Sequence, residues 1–188
     1  MQTRDPGSQA VKKHRGPGST ALRGAPHRVS PTNDVMNIFV LPLSSPQATD
    51  PERVGPKAAN LALLARAGLP TPGGFCLTAD AYRRQVEAAG LRDALTSFGN
   101  ANPSAQRRFS VEIRLGLYEQ PITSEIADPL LAMWREGRAA LPGPWAMRSS
   151  ALIEDRAGAN FAGQFESFLG IDSDEVFLTA VRACWAAL

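Results

Sequence analysis

The feature that most constrains the fold is a segment rich in small residues, residues 149–163, that joins two short apolar runs. The run before it, Trp145 to Arg148, and the run after it, Gln164 to Ile171, each have the length and composition of a β-strand. Alanine and glycine make up much of the connection. Because small residues allow the backbone to approach a ligand closely, two strands joined in this way are typical of a ligand-binding turn.

The sequence before this segment predicts alternating strands and helices. Residues 38–43 form a short apolar run closed by prolines and predict an edge strand. Residues 57–67 repeat apolar side chains at helical spacing and predict a helix that ends at Gly68. A loop rich in proline and glycine then leads into a predicted strand at 75–78 and a predicted helix at 79–89. The residues predicted to form the buried face of the first helix are Ala58, Leu61, Leu64 and Ala65.

The remaining sequence is predicted to be mostly helical. Residues 91–141 carry apolar stripes, and Pro103, Pro121 and Pro129 are expected to divide them into separate helices. A last helix is predicted over residues 173–188. Short strands among helices predict an α+β or α/β fold, with a small mixed sheet and flanking helices. The predicted core residues of these helices are Ile113, Leu117, Ile126, Leu130, Leu131, Met133, Trp134, Val176, Phe177, Ala180, Val181 and Cys184.

Residues 1–35 differ in composition from the rest of the chain. They contain six of the 20 Lys and Arg residues but only two of the 18 acidic residues, and they show no apolar period. Such a segment cannot bury enough apolar area to offset the entropy of ordering, so we expect a disordered basic tail. Met36 is a candidate start, because the patterned sequence begins just after it, and an acid-poor transit peptide is a further alternative. No aromatic residues lie between the charges of the tail, so we expect no nucleic-acid partner.

Composition also argues against a membrane protein and against a zinc or disulfide framework. No apolar run approaches the roughly 20 residues that span a bilayer. Cys76 and Cys184 fit no metal-binding or CxxC spacing, so we predict buried, reduced thiols. A cytoplasmic location is the default expectation for such a chain.

The segment around the predicted turn also carries a set of polar residues that suits a polyphosphate. Arg148 stands at the end of a strand and is followed by two serines and then by Glu154 and Asp155. A guanidinium, hydroxyls and backbone N–H groups can together bind phosphate oxygens. The alternative from the residues alone is a surface hairpin in which Arg148 pairs with Glu154 or Asp155.

The sequence contains two further clusters of residues. The first consists of Val54–Leu61, Ala67–Pro72 and Gly74–Thr78, and the second of Arg148–Ala151, Glu154, Asp155, Gly158 and Phe161–Gln164. Together they resemble the N-terminal AMP/ATP-binding domain of the pyruvate phosphate dikinase and phosphoenolpyruvate synthase family. The resemblance extends from Gly55 to Leu188 and rests on matches in order and spacing. It implies that residues 36–188 form an α+β fold similar to the N-terminal portion of an ATP-grasp domain, and that this fold is incomplete here. One departure is Pro56, which stands where the family usually has glycine.

The resemblance also implies roles for four residues in binding ATP. Lys57 would reach the phosphates from the start of its helix, and Arg148 would bind phosphate and stabilise charge during transfer as a catalytic residue. The backbone near Gly163 would cover the phosphates. Ser167 would face the nucleotide, although an ordinary strand serine is an equal alternative for it. The resemblance implies Mg²⁺ as well, with ligands expected outside this chain.

In complete members of the family, the domain transfers a phosphoryl group from ATP to a carrier histidine, which passes it to pyruvate or another acceptor. Residues 36–188 contain no histidine. We therefore expect the carrier and acceptor domains to be partners outside this chain, and we do not expect the chain to be a competent phosphotransferase alone. A nucleotide-binding or regulatory module without catalysis is the alternative hypothesis.

Overall fold

The computed structural model describes residues 39–150 and 167–187, and all structural statements refer to these ranges. The tail 1–35, the candidate start Met36 and the segment 151–166, with Gly163, Glu154 and Asp155, lie outside the described residues. The described elements are β1 (Val40–Pro42), a 3-10 helix (Pro46–Thr49), α1 (Pro51–Val54), α2 (Pro56–Arg66), β2 (Phe75–Leu77), α3 (Ala79–Ala88), α4 (Arg92–Asn100), α5 (Pro103–Glu119), α6 (Ser124–Ala140), β3 (Trp145–Arg148), β4 (Ser167–Ile171) and α7 (Asp174–Ala186).

The strands form two small antiparallel sheets, which together with the helices confirm a mixed α+β architecture. Strand β1 pairs with β2, and strand β3 pairs with β4. In place of the predicted small mixed sheet, the described residues thus have two antiparallel sheets of two strands each. The pairing of β3 with β4 shifts between Trp145 and Ala146, next to Gly170 with φ of 71°. A glycine in this conformation allows the extra residue of a β-bulge.

Most helices begin where a side chain accepts a hydrogen bond from the first turn. The same arrangement recurs in α3, α5 and α7, in which the side chain before the helix accepts a hydrogen bond from the third helical residue. Such caps satisfy backbone donors that have no partner within the helix. Helices α2, α4 and α6 lack such a bond from the preceding residue, and in α2 that residue is Gly55, which has no side chain. The three residues that cap α3, α5 and α7 are Thr78, Asn102 and Ser173.

The larger hydrophobic core is centred on Trp134, which is only 1% exposed. Its ring stacks on Phe177 with centroids 4.4 Å apart, and Trp145 meets it edge-on at 5.5 Å. The indole Nε1 donates to Asp174, which also accepts hydrogen bonds from Arg135. The hydrogen bond from Arg135, with a smaller contribution from Trp134, holds the pKa of the Asp174 carboxyl below its ordinary value. The aromatic cluster therefore ties α6 to the start of α7.

A second core lies beneath α2 and is built mainly from small side chains. Its buried members on α2 are Ala58, Ala59 and Ala62, which pack against β1, the 3-10 helix and Val54. The predicted buried face of this helix is therefore partly wrong. Leu64 is 43% exposed, and Leu61 and Ala65 are only half-buried. The alanine face packs inward because its small side chains allow α2 to approach its neighbours closely.

The long helices α5 and α6 confirm the predicted helical region, with one correction. Pro103 begins α5 and Pro121 separates α5 from α6, but Pro129 lies inside α6. Proline there removes one backbone donor in the second turn, and the buried side chains on both sides of it hold the helix together. Within residues 39–150 and 167–187, no helix combines the length and apolar character needed to cross a membrane.

The last helix, α7, buries most of its predicted inward face. Phe177, Ala180, Val181 and Cys184 are buried, as predicted. Val176 is 47% exposed, so its predicted inward position is wrong. The side chain of Ser173 accepts a hydrogen bond from the Val176 N–H. Val176 therefore lies in the first turn, beside the cap and at the edge of the apolar stripe.

Candidate functional site

The two sequence clusters meet where the end of the β3 strand contacts the start of α2. The Ser150 Oγ accepts a hydrogen bond from the Ala58 N–H at 3.3 Å, although the two residues are 92 positions apart. Ala58 is the third residue of α2, so this is the backbone donor that a preceding side chain usually satisfies. The hydroxyl of Ser150 therefore caps α2 from another part of the chain.

Gly55 allows this contact because it has no side chain. Its backbone has φ of 80° and ψ of 159°, a conformation that residues other than glycine rarely adopt. A Cβ atom at this position would lie 1.9 Å from the Ser150 carbonyl oxygen and 2.4 Å from its Oγ. The close approach of the two clusters therefore requires glycine at position 55.

A cleft of about 1310 Å³ opens beside this junction. Much of its wall is apolar and comes from the exposed side of α2, the loop before β2 and strand β3. Leu61 and Leu64, which were predicted to lie in the core, line this cleft instead. Its polar lining includes Arg53, Lys57, Asn60, Arg148, Ser149 and Ser150.

Lys57 and Arg148, two of the predicted site residues, line the same cleft. Lys57 is half-buried and lies in the first turn of α2, where the helix dipole favours an anion. Arg148 is exposed at the end of β3, two residues before Ser150. Pro56 is the first residue of α2, a position where the missing N–H would have no partner within the helix. With Arg53, which also lines the cleft, the site combines three cationic side chains with a helix N-terminus.

Ser167 lies next to Arg148, and Gly163 lies outside the described residues. Ser167 is the residue of β4 that pairs with Arg148, so the two side chains leave the sheet on the same face. Ser167 is exposed and is not among the described residues that line the cleft. The structure therefore brings Lys57 and Arg148 into one cleft and leaves Ser167 at its border.

Two polar atoms of the cleft lining are buried, and one of them belongs to Ser149, the first of the two serines that follow Arg148. Ser149 is only 5% exposed, and its Oγ has no hydrogen-bond partner among the described residues. The Nε atom of Arg53 is likewise buried, and the described part of the chain gives it no partner. Unsatisfied buried donors of this kind are uncommon in proteins. Ser149 belongs to the second sequence cluster, but the sequence holds no signal for Arg53, because burial of a single arginine leaves no periodic pattern.

Cys76 lies in the lining but is not suited to nucleophilic chemistry. Its thiol donates to the Leu41 carbonyl oxygen at 3.5 Å, and the residue is half-buried rather than buried. Burial raises the pKa of Cys76 to about 12, although nearby Arg53 opposes this shift. A neutral thiol is a poor nucleophile and a poor metal ligand. Cys184 is buried, as predicted.

The described residues offer no cation site built from several ligands. Across residues 39–150 and 167–187, no three His, Cys, Asp or Glu side chains gather closely enough to hold a metal ion. The side-chain donors in the cleft are instead guanidinium, ammonium and hydroxyl groups. Such groups bind anions.

Comparison with known families decides which class of domain carries this cleft. Residues 51–188 match the family described as "Pyruvate phosphate dikinase, AMP/ATP-binding domain". The chain belongs to this family. The AMP/ATP-binding domain of the pyruvate phosphate dikinase type thus includes both sequence clusters and all four predicted site residues. This assignment confirms the family identified from the two clusters.

Curated relatives of this AMP/ATP-binding domain include enzymes with different names. The chain is 35% identical over 83% of its length to "Rifampicin phosphotransferase" of Streptomyces sviceus. It is 31% identical over 80% of its length to "Probable phosphoenolpyruvate synthase" of Staphylothermus marinus. It is also 35% identical over 80% of its length to a "Prodigiosin synthesizing transferase" of Serratia marcescens. The aligned regions cover 18%, 19% and 16% of these relatives, so the chain spans less than a fifth of their length.

Proposed function

We propose that this domain binds the polyphosphate of ATP in the cleft beside the α2–β3 junction. The observation that carries the proposal is that Lys57 and Arg148, from two separate family clusters, line one cleft and are joined through the hydrogen bond between Ala58 and Ser150. An ammonium group, a guanidinium group and a helix N-terminus together favour a ligand with several negative charges. In fold, the domain is proposed to be the N-terminal portion of an ATP-grasp-like domain.

The cationic residues have distinct proposed roles. Lys57 supplies a point charge to the phosphates at the start of α2, where the helix dipole acts in the same direction. Arg148 offers a planar set of donors and stabilises the charge that develops during phosphoryl transfer. Ser167 and the backbone near Gly163 are proposed to complete the phosphate contacts. The half-buried position of Lys57 and the exposed position of Arg148 are compatible with a ligand that enters from solvent.

The apolar walls of the cleft suit the remainder of a nucleotide. Leu61 and Leu64 of α2 and Phe75 of β2 are part of this lining. An aromatic base is stabilised by apolar and aromatic surfaces, whereas the phosphates need the cationic side chains of the lining. This division supports ATP as the ligand rather than an isolated phosphate ion.

We further propose that the domain supplies the ATP-binding part of a dikinase-like phosphotransferase. Relatives named for rifampicin, phosphoenolpyruvate and prodigiosin share this region at 31% to 35% identity. Because proteins with such different names share this region, we infer that it serves a reaction step that they have in common, and we propose that this step is phosphoryl transfer from ATP. The carrier histidine and the acceptor site are proposed to lie in partner domains. Mg²⁺ would then take its ligands outside the described residues, since these offer no suitable cluster.

Thermal unfolding in the presence of nucleotides tests the proposal. A ligand that binds only the folded state stabilises it by about 2.7 kcal/mol at a concentration 100 times its Kd. For a domain of this size, we expect ATP to raise the Tm by about 5 to 10 °C at that concentration. Adenosine, which has no phosphates, is the matched control and is expected to have a much smaller effect. An unchanged Tm at millimolar ATP, with and without Mg²⁺, would contradict ATP binding by this chain.

A further inference from the structure

Helix α2 has no side-chain cap from the residue that precedes it. Thr78, Asn102 and Ser173 each cap the helix that follows them through the N–H three residues later. Gly55 occupies the equivalent position before α2 and has no side chain to accept such a bond. A serine or aspartate at position 55 would meet the Ser150 backbone and would be strained at φ of 80°. A side-chain cap of α2 can therefore come only from another part of the chain.

Ser150 supplies this missing cap. Its Oγ accepts from the Ala58 N–H at 3.3 Å, the same distance as in the local caps of α3 and α7. Ala58 lies three residues after Gly55, so the bond has the position of an ordinary helix cap. The difference is that its acceptor belongs to the segment that follows β3.

We infer that Ser150 is a positioning residue that holds Lys57 and Arg148 in the relative arrangement needed to bind the polyphosphate. This inference rests on the proposed function. Lys57 immediately precedes the donor Ala58, and Arg148 lies two residues before the acceptor Ser150. One hydrogen bond and the contact with Gly55 thus connect the backbones that carry both cationic side chains. A local cap stabilises one helix, whereas this cap also fixes one half of the site against the other.

Ser150→Ala and a matched variant, Asn102→Ala, separate these two effects. Asn102 caps α5, a helix that contributes no residue to the described lining of the cleft. Both substitutions remove one helix cap, so both are expected to lower the Tm by a few degrees. Calorimetric titration well below the Tm of both variants measures the ATP Kd. We expect this Kd to rise about five- to tenfold for Ser150→Ala and to stay unchanged for Asn102→Ala.

Amide hydrogen exchange gives a second readout that does not depend on the nucleotide. The Ala58 amide is expected to exchange faster in Ser150→Ala than in the wild-type chain or in Asn102→Ala, because its acceptor is removed. Should Ser150→Ala not fold, Ser150→Cys preserves the size of the side chain and replaces the hydroxyl with a weak acceptor. The same increase in the ATP Kd is expected for that variant.

The outcomes distinguish this inference from the proposed function. A wild-type ATP Kd in Ser150→Ala or in a folded Ser150→Cys would overturn the positioning role and leave ATP binding intact. Equal losses of affinity in Ser150→Ala and Asn102→Ala would also overturn it, since general destabilisation would then explain both. Absence of ATP binding by the wild-type chain would overturn the proposed function and the inference together.

Discussion

Trp134→Ala is expected to lower the free energy of unfolding by about 3 to 5 kcal/mol. The substitution removes a side chain that is 1% exposed and leaves a cavity between α6 and α7. It also removes the stacking on Phe177, the edge contact with Trp145 and the hydrogen bond to Asp174. Urea unfolding followed by circular dichroism measures the change as a lower midpoint with an unchanged slope.

Two further variants identify the source of this loss. Trp134→Phe preserves an aromatic ring but removes the indole donor to Asp174, so its expected effect is smaller than that of alanine. Val111→Ala truncates an apolar side chain that is 57% exposed on α5, and its expected change is within about 0.5 kcal/mol. If Trp134→Ala were as stable as Val111→Ala, the aromatic cluster would not be the main core.

Gly55→Ala is expected to separate the start of α2 from the residues that follow β3. The new Cβ would lie 1.9 Å from the Ser150 carbonyl oxygen, so one of the two backbones must move. Alanine is also strained in a backbone conformation with φ of 80° and ψ of 159°, and this strain destabilises the folded state by about 1 to 3 kcal/mol. Loss of the Ser150 cap adds about 1 kcal/mol. Chemical unfolding should therefore show a destabilisation of roughly 2 to 4 kcal/mol, with a weaker ATP affinity.

Gly68→Ala is the matched control for this substitution. Gly68 also has a positive φ, of 77°, but a Cβ added there meets no atom within 4 Å. Its expected destabilisation of about 1 to 2 kcal/mol reflects backbone strain alone. ATP affinity should stay unchanged in Gly68→Ala and fall in Gly55→Ala. Identical stability and affinity in the two variants would show that the contact between Gly55 and Ser150 contributes nothing.

The kinds of elements in this domain could be predicted from the sequence because local patterns determine them. Helical spacing of apolar residues predicted α2 and the helical region that includes Trp134, and glycine and proline marked several of the ends. Pro129 was misjudged because a single proline in the second turn of a helix removes only one hydrogen bond, which the packing of α6 tolerates.

The orientation of α2 could not be predicted with the same certainty, because this helix has two faces that could be buried. Leu61 and Leu64 share one face, and the alanines Ala58, Ala59 and Ala62 share the other. Hydrophobicity favours the leucines, but close packing against β1 and the 3-10 helix selects the alanines. The leucines consequently line the cleft. An apolar stripe that faces a binding site has the same helical period as one that faces the core, so the sequence pattern does not distinguish the two.

The composition of the candidate site was accessible from the sequence, but its internal geometry was not. Lys57 and Arg148 were predicted from two family clusters, and both line one cleft. The hydrogen bond between Ala58 and Ser150 joins residues that are 92 positions apart, and no local pattern encodes such a contact. One clue was present: Gly55 precedes a helix that begins with proline, so that helix lacks a local side-chain cap.

The most direct test of the central claim is the ATP Kd of Lys57→Gln and Arg148→Gln, measured by calorimetric titration beside Arg66→Gln. Arg66 lies exposed in the last turn of α2 and serves as a matched loss of one positive charge. A charge-assisted hydrogen bond contributes about 1.5 to 3 kcal/mol, so each site variant should bind ATP roughly tenfold to a hundredfold more weakly. Arg66→Gln should bind within about twofold of the wild-type chain, since its charge is remote from the helix start. If Lys57→Gln and Arg148→Gln bound ATP as tightly as Arg66→Gln, the cleft beside the α2–β3 junction would not be the phosphate site.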